Sequence, residues 1–368
     1  MTKIIQFFKT DLLFTISFLA ALLSLGFGLP GKETIDYKML SCLFALMLLI
    51  KNIENLGVLN FLAEKIIHFS KDTRSLIISI TLLSFFSSML LTNDVAILTL
   101  MPIYLKITKK LKVLKDPLTG AVLLIIAANL GSSFFPFGNP QNLYLMSHFS
   151  LSASDFFQWS FILLVASLGF LCLSFLFIEK KKLTEKTVKL KSLNQKHILL
   201  LSLTGLLILS AVFNLSPYEV SIPLAVTILL FYSPQSGKQV DYRLLATFLF
   251  FFIAVGGFSQ IPGAAAVIKE QFKSSYRTFL GSIALSQIIS NVPAVILIAP
   301  FTSHIKALFF GVNIGGLGTL IASLANLIGF KIYRVYYPGK DKQFLTKFSL
   351  LNLLFLAGMI VVFLFFLN

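Results

Sequence analysis

Residues 129–142 read Asn-Leu-Gly-Ser-Ser-Phe-Phe-Pro-Phe-Gly-Asn-Pro-Gln-Asn, in the middle of an otherwise apolar run. Gly131, Pro136, Gly138 and Pro140 cannot continue a regular helix. A span over 117–148 is therefore expected to be helical to about Asn129, opened from Gly131 to Asn142, and helical again beyond. The pattern returns further on. Asn313-Ile314-Gly315 follows Asn129-Leu130-Gly131 by 184 positions, and Asn326-Leu327 follows Asn142-Leu143 by the same 184. Each stretch is preceded by a hydroxyl residue, Asn, two residues and Ala: Thr92-Asn93-Asp94-Val95-Ala96 in one half, Ser290-Asn291-Val292-Pro293-Ala294 in the other. Duplicated, helix-interrupting polar motifs in a membrane chain point to a transport site between two halves.

Composition supports the membrane reading. The 368 residues are 57% hydrophobic and 12% charged, with the charges clustered between apolar runs long enough to cross a bilayer. Met1 to Gly28, basic at Lys3 and Lys9 and then apolar, reads as a retained first span rather than a cleaved signal peptide, because it lacks a small-x-small site. Cys42 and Cys172 lie in apolar segments and read as buried free thiols.

The net charge of +16 takes its meaning from position. Lysine gathers at 106–115, 180–196 and 331–347, while the connections at 30–37, 146–156 and 214–219 carry few unpaired basic residues. That alternation is the positive-inside pattern, so the basic loops face the cytoplasm and so does the N-terminus. A nucleic-acid role is disfavoured, because no folded soluble module carries the charge. The stretch 179–197 reads as a solvated linker that can touch anionic lipid headgroups.

The expected fold is an all-α polytopic membrane protein with about nine full spans. Its N-terminal half, 1–178, has a re-entrant hairpin at about 75–105 and a broken helix at 117–148. Its C-terminal half, 198–368, has a hairpin at about 276–303 and a broken helix at about 306–330. An amphipathic stretch at 54–71 lies along the cytoplasmic surface. Counting crossings puts the first hairpin on the cytoplasmic face and the second on the outer face, so the halves are inverted copies. Lys269, Lys273, Arg277 and Lys306 then fall outside, against the charge rule.

The segments Thr92 to Ala96, Ala128 to Gly131, Gly138 to Asn142, Ser286 to Ala294 and Gly311 to Thr319 resemble signature segments of the ion transporter superfamily. That group includes arsenite permeases, sodium-coupled citrate and dicarboxylate symporters, and sodium/proton antiporters. The chain is most similar to short bacterial proteins labelled citrate transporter or anion permease. It departs from the dicarboxylate symporters, whose tips both read Ser-Asn-Thr. The resemblance implies a secondary transporter of the bacterial plasma membrane, a small anionic substrate and a homodimer, with no cofactor beyond a co-transported sodium ion or proton.

The chemistry of the residues agrees. Two hairpin tips and two broken helices would meet near the midplane and offer helix N-termini and free amides to an anion. Opened carbonyls with Asn and Thr oxygens suit sodium. Thr92, Asn93, Gly138 and Asn142 are assigned to one cation site, and Ser290, Asn291, Thr319 and Asn326 to its inverted mate. Asn129, Gly131, Asn139, Pro293, Asn313, Gly315 and Ser323 complete the candidate binding set. Asp94 reads as the one acidic residue deep in the membrane, a cation ligand or proton carrier. Single intramembrane Asn, Ser and Thr residues serve as interhelical glue as often as they touch ligand; the paired, equally spaced set is what favours a site. Trp159 with Gln158 reads as an interfacial anchor.

An intramembrane enzyme would need a catalytic pair, and Asp94 reads as alone, so an enzyme is not expected. A channel could use similar groups, but the inverted duplication favours alternating access. An oxyanion efflux permease and a sodium/proton antiporter stay open as alternatives to citrate or another carboxylate.

Overall fold

The computed structural model describes residues 12–110, 117–182 and 195–367. Lys3, Lys9, residues 111–116 and linker residues 183–194 lie outside them. The described residues form helices throughout, with no named strand among them. Helices α1 (Leu12–Ser24), α2 (Tyr37–Asn55) and α3 (Val58–Phe69) lead into the first hairpin. That hairpin is α4 (Thr73–Leu91) and α5 (Asn93–Lys110), and the first broken helix is α6 (Pro117–Gly131) and α7 (Pro140–His148). Helices α8 (Ala153–Phe175), α9 (Gln195–Val212), α10 (Tyr218–Tyr232), the short α11 (Pro234–Gln239), α12 (Tyr242–Phe258) and α13 (Ala264–Gln271) follow. The second hairpin is α14 (Ser275–Ile289) and α15 (Asn291–Ile298), the second broken helix α16 (Ile305–Ile314) and α17 (Leu324–Tyr336), and α18 (Asp341–Leu364) ends the order. Among the described helices, α4, α8 and α18 have the length and composition to cross a membrane singly. The shorter ones include the halves of the broken helices and the second hairpin, which do not need to cross alone.

The punctuation follows local chemistry. Asp72 caps α4: its Oδ1 accepts from the Ser75 backbone N–H at 2.7 Å, and Ser75 Oγ accepts in return from Asp72 N–H at 3.1 Å. This capping box satisfies two of the helix's orphan donors. The Ser75 bond, backed by a second bond from the Ser75 hydroxyl and the charge of Lys180, holds the Asp72 carboxyl below its ordinary range. A depressed carboxyl contributes stability that is present above its unfolded value, about 3.9, and is lost as pH falls through its folded value. Asp72→Ala is expected to cost about 1 kcal/mol at neutral pH, with the gap from the parent closing in acid, as read by thermal melts of purified protein at both pH values.

Both hairpins turn on one residue. Thr92 has φ 70° and Ser290 has φ 76°, each in the left-handed half of the map, with ψ near 154° and 155°. Neither is glycine, so each tip holds backbone strain of about 1–3 kcal/mol that its surroundings must over-determine. In the first broken helix α7 restarts at Pro140, two residues before the expected Asn142, because Asn139 Oδ1 accepts from Asn142 N–H at 2.9 Å and Pro140 fits the first helical position.

The two halves pack by the same rule. α4 runs parallel to α6: Ser84 Oγ donates to Leu124 O at 2.9 Å, and Gly131 lies against Phe85 and Ser88. α14 runs parallel to α16, with Gly311 against Phe279 and Ser282, and Gly315 against Ser286. Ser88 and Ser286 each stand four residues before their tip, so one contact is built twice. The return helix of each hairpin packs against the other half, α5 on α17 and α15 on α7. Apolar side chains such as Phe177 and Phe231, 89% and 90% exposed, point outward where lipid would lie.

One expectation changes. Cys42 is buried as expected, but Cys172 is exposed on the outward face of α8. Trp159 is half-buried, with its ring packed on Phe309 at 6.0 Å. The basic group after α13 has acidic company in Glu270, which pairs with Lys273, while the Glu270 carbonyl accepts from Arg277 Nη1 at 3.3 Å. That pairing offsets part of the charge that stands against the positive-inside pattern.

Candidate functional site

The hairpin tips, Asn93 and Asn291, meet the restart points of the broken helices, Pro140 and Leu324, around one small cavity of about 50 Å³. Four helix N-termini, those of α5, α7, α15 and α17, end there. Their aligned peptide dipoles turn positive ends toward the cavity, which no basic side chain lines.

Buried amides join the halves around it. Asn129 Nδ2 donates to Asn326 Oδ1 at 2.7 Å, and Asn313 Nδ2 donates to Asn142 Oδ1 at 2.7 Å. The two bonds are copies: in each, the Asn at the end of one half's first broken segment reaches the Asn in the first turn of the other half's second segment. Asn129 Oδ1 also accepts from Asn93 Nδ2 at 3.0 Å, and Asn313 Oδ1 from Asn139 Nδ2 at 3.1 Å. The remaining amide hydrogens satisfy the opened backbone. Asn142 Nδ2 donates to Ser133 O at 3.0 Å, and Asn326 Nδ2 donates to Gly316 O and Thr319 O, each at 3.0 Å. Carbonyls released by a broken helix must be met inside the protein, and here side-chain amides meet them.

Most of the expected residues are gathered here. Asn93, Asp94, Ser290, Asn291, Pro293 and Ser323 line the cavity, and Asn129, Asn139, Asn142, Asn313 and Asn326 form the network beside it. Gly131, Gly138 and Gly315 act by close approach: a Cβ on them would lie 2.0 Å from Phe85 O, 2.2 Å from Ser132 O and 2.7 Å from Gly311 O. The grouping into one cation site per half is not what the geometry brings together, because Asn142 pairs with Asn313 and Asn326 with Asn129. Thr319 is exposed, and its hydroxyl donates to Gln287 O at 3.1 Å rather than facing the tips. Thr92 lines a neighbouring cavity of 380 Å³ that continues toward α2.

Asp94 is not the lone acid of the site. Asp241, the N-cap of α12, lines both the tip cavity and the 380 Å³ cavity together with Asp94. Gln141 was also missed. Gln141 is marked in the sequence only as a polar residue between Pro140 and Asn142, and Asp241 lies outside both repeated motifs. Beyond the tips on the opposite side lies a 610 Å³ cavity between the 33–38 segment and α7, α12 and α15. Tyr144 and Phe252, with rings 5.6 Å apart, separate it from the tip cavity one helical turn away.

Paired hairpins around a buried, inter-half polar centre in an all-helical chain define a polytopic membrane transporter. The chain belongs to the citrate transporter family, whose sequence profile matches residues 12–308. An uncharacterized transporter of Methanocaldococcus jannaschii is 31% identical over 320 residues, covering 86% of this chain and 87% of its own. The inner membrane protein YbiR of Escherichia coli is 31% identical over 324 residues, covering 87% and 84%. The silicon efflux transporter LSI3 of Oryza sativa subsp. japonica is 29% identical over 136 residues, 37% of this chain and 28% of its own. Among solved structures, the YdaH transporter of Alcanivorax borkumensis aligns over 90% of this chain and 86% of its own with a TM-score of 0.55 and 14% identity, a likeness of fold.

Proposed function

We propose that this protein is a secondary active transporter that moves a small anion, citrate or another carboxylate, across a bacterial plasma membrane by alternating access, coupled to sodium or protons. The observation that carries this reading is the reciprocal pair Asn129 to Asn326 and Asn313 to Asn142, one bond built twice across the boundary between halves. Such a pair suits two inverted halves that exchange roles as the site opens to either side. The four helix N-termini around the tips supply attraction for an anion where no Lys or Arg stands. In this reading the basic connections and the N-terminus face the cytoplasm, the 380 Å³ cavity is the inner approach and the 610 Å³ cavity the outer one.

Uptake of labelled citrate into proteoliposomes, with an inward sodium gradient, an inward proton gradient or none, tests the reading. Saturable uptake driven by either gradient supports it and names the ion; equal flux under all three conditions sinks it.

One observation favours a second reading. Two carboxylates and no basic side chain line the tip cavity, which would repel a multiply charged anion. Sodium/proton exchange, or efflux of a small weakly acidic oxyacid, fits that lining, and sodium-dependent proton movement without citrate uptake would select exchange.

A further inference from the structure

The amide network that the sequence nominates for sodium has little left to offer a cation. Each of the four paired Asn oxygens already accepts a hydrogen bond: Asn129 Oδ1 from Asn93, Asn326 Oδ1 from Asn129, Asn313 Oδ1 from Asn139, and Asn142 Oδ1 from Asn313. The opened carbonyls of Ser133, Gly316 and Thr319 accept from Asn amides, and Ala322 O accepts from Asn291 N–H at 3.0 Å. These oxygens are engaged by the network's own members, so a cation there would compete with bonds already made.

The unmet oxygens are elsewhere in the same cavity. Gln141 is 3% exposed and lines it, yet its side-chain amide has no hydrogen-bond partner among the described residues. The amide borders the cavity space, free to meet a ligand. Asp94 shares the cavity, and its carboxylate too has no hydrogen-bond partner among the described residues. Asp241 stands exposed at the mouth, one oxygen accepting from Arg243 N–H and Leu244 N–H at 3.1 Å each. The one ammonium lining the adjoining 380 Å³ cavity, Lys51, is held by Glu54 at 2.7 Å. Two carboxylates facing one space repel each other unless a cation lies between them or one of them holds a proton.

We propose that Asp94, Asp241 and Gln141 form a binding site for a monovalent metal cation, and that the coupling ion sits there rather than in the paired Asn network. Asp241 captures the ion at the mouth, and Gln141 Oε1 and the Asp94 carboxylate replace its water deeper in. The site joins the first hairpin, the first broken helix and α12, so filling it ties the tip to the C-terminal half. This deepens the coupling proposed above and rests on that reading.

The test is sodium binding by the purified full-length chain in nanodiscs, read as thermal stabilisation over a NaCl titration against choline chloride at constant ionic strength. The parent is expected to show a saturable rise in Tm. Asp241→Asn and Gln141→Leu are expected to raise the sodium concentration at half-effect at least about tenfold, with Gly169→Ala, whose added Cβ meets nothing within 4 Å, titrating as the parent. Asp94→Asn is expected to show no sodium response, and Asp94→Glu, kept in case the first variant does not fold, a weakened one. A parent without a sodium response, or Asp241→Asn and Gln141→Leu variants that titrate as the parent does, overturns the site. Binding is read without transport, so a chain that binds sodium here but moves no citrate loses its substrate reading and keeps the site. A chain that moves citrate with no sodium response does the opposite.

Discussion

Asn129→Ala is expected to abolish gradient-driven uptake and to lower stability by several kcal/mol. The substitution removes the donor to Asn326 Oδ1 and leaves Asn93 Nδ2 only its long bond to Ser323 Oγ at 3.5 Å, and both groups are buried, at 0% and 6% exposure. Each buried polar group left unmet costs about 1–3 kcal/mol, and in a low-dielectric interior a half-satisfied network is worse than none. Asn313→Ala removes the copy of the same bond and is expected to act alike. The sharper check is a double-mutant cycle on Asn129 and Asn326, with thermal or denaturant unfolding in detergent as the readout. Residues in one network couple by about 0.5–3 kcal/mol. Strict additivity of the two alanine substitutions would show that the inter-half bond does not form.

The second large effect is steric. A Cβ at position 131 would lie 2.0 Å from Phe85 O and 2.6 Å from Ser88 Oγ. The carbonyl belongs to α4, so relief requires α4 and α6 to separate along their shared length. Overpacking in a tight interior costs about 1–3 kcal/mol when side chains can adjust, and here backbone must move. Gly131→Ala is expected to lose at least that much and to displace the Thr92 tip, seen as a lowered Tm and lost uptake. Gly315→Ala is expected to be milder, since its nearest contacts, Gly311 O and Ser286 Oγ, are at 2.7 Å. Gly169→Ala is the control: nothing lies within 4 Å of its Cβ, and the better helix propensity of Ala is expected to leave Tm unchanged or raised. Equal melting of Gly131→Ala and Gly169→Ala would overturn the close-packing account.

The sequence by itself determined the membrane setting, the two hairpins, the two interrupted helices and the correspondence of Asn129 with Asn313 and Asn142 with Asn326. These are local signals. Gly and Pro at 131–140 break a helix wherever it packs, apolar runs read as spans by length, and a repeat is visible as identical spacing. Only the tertiary structure decided which amide bonds which, because the partners of Asn129 and Asn313 lie 197 and 171 residues away. It assigned the Asn oxygens to one another, leaving the Gln141 amide at the cavity wall outside that network, and it brought Asp241 from the start of α12 to the cavity that Asp94 lines. Interdigitation of the two halves places those groups, through contacts among elements that are far apart in the chain, and no spacing along the chain encodes which facing helix supplies the neighbour.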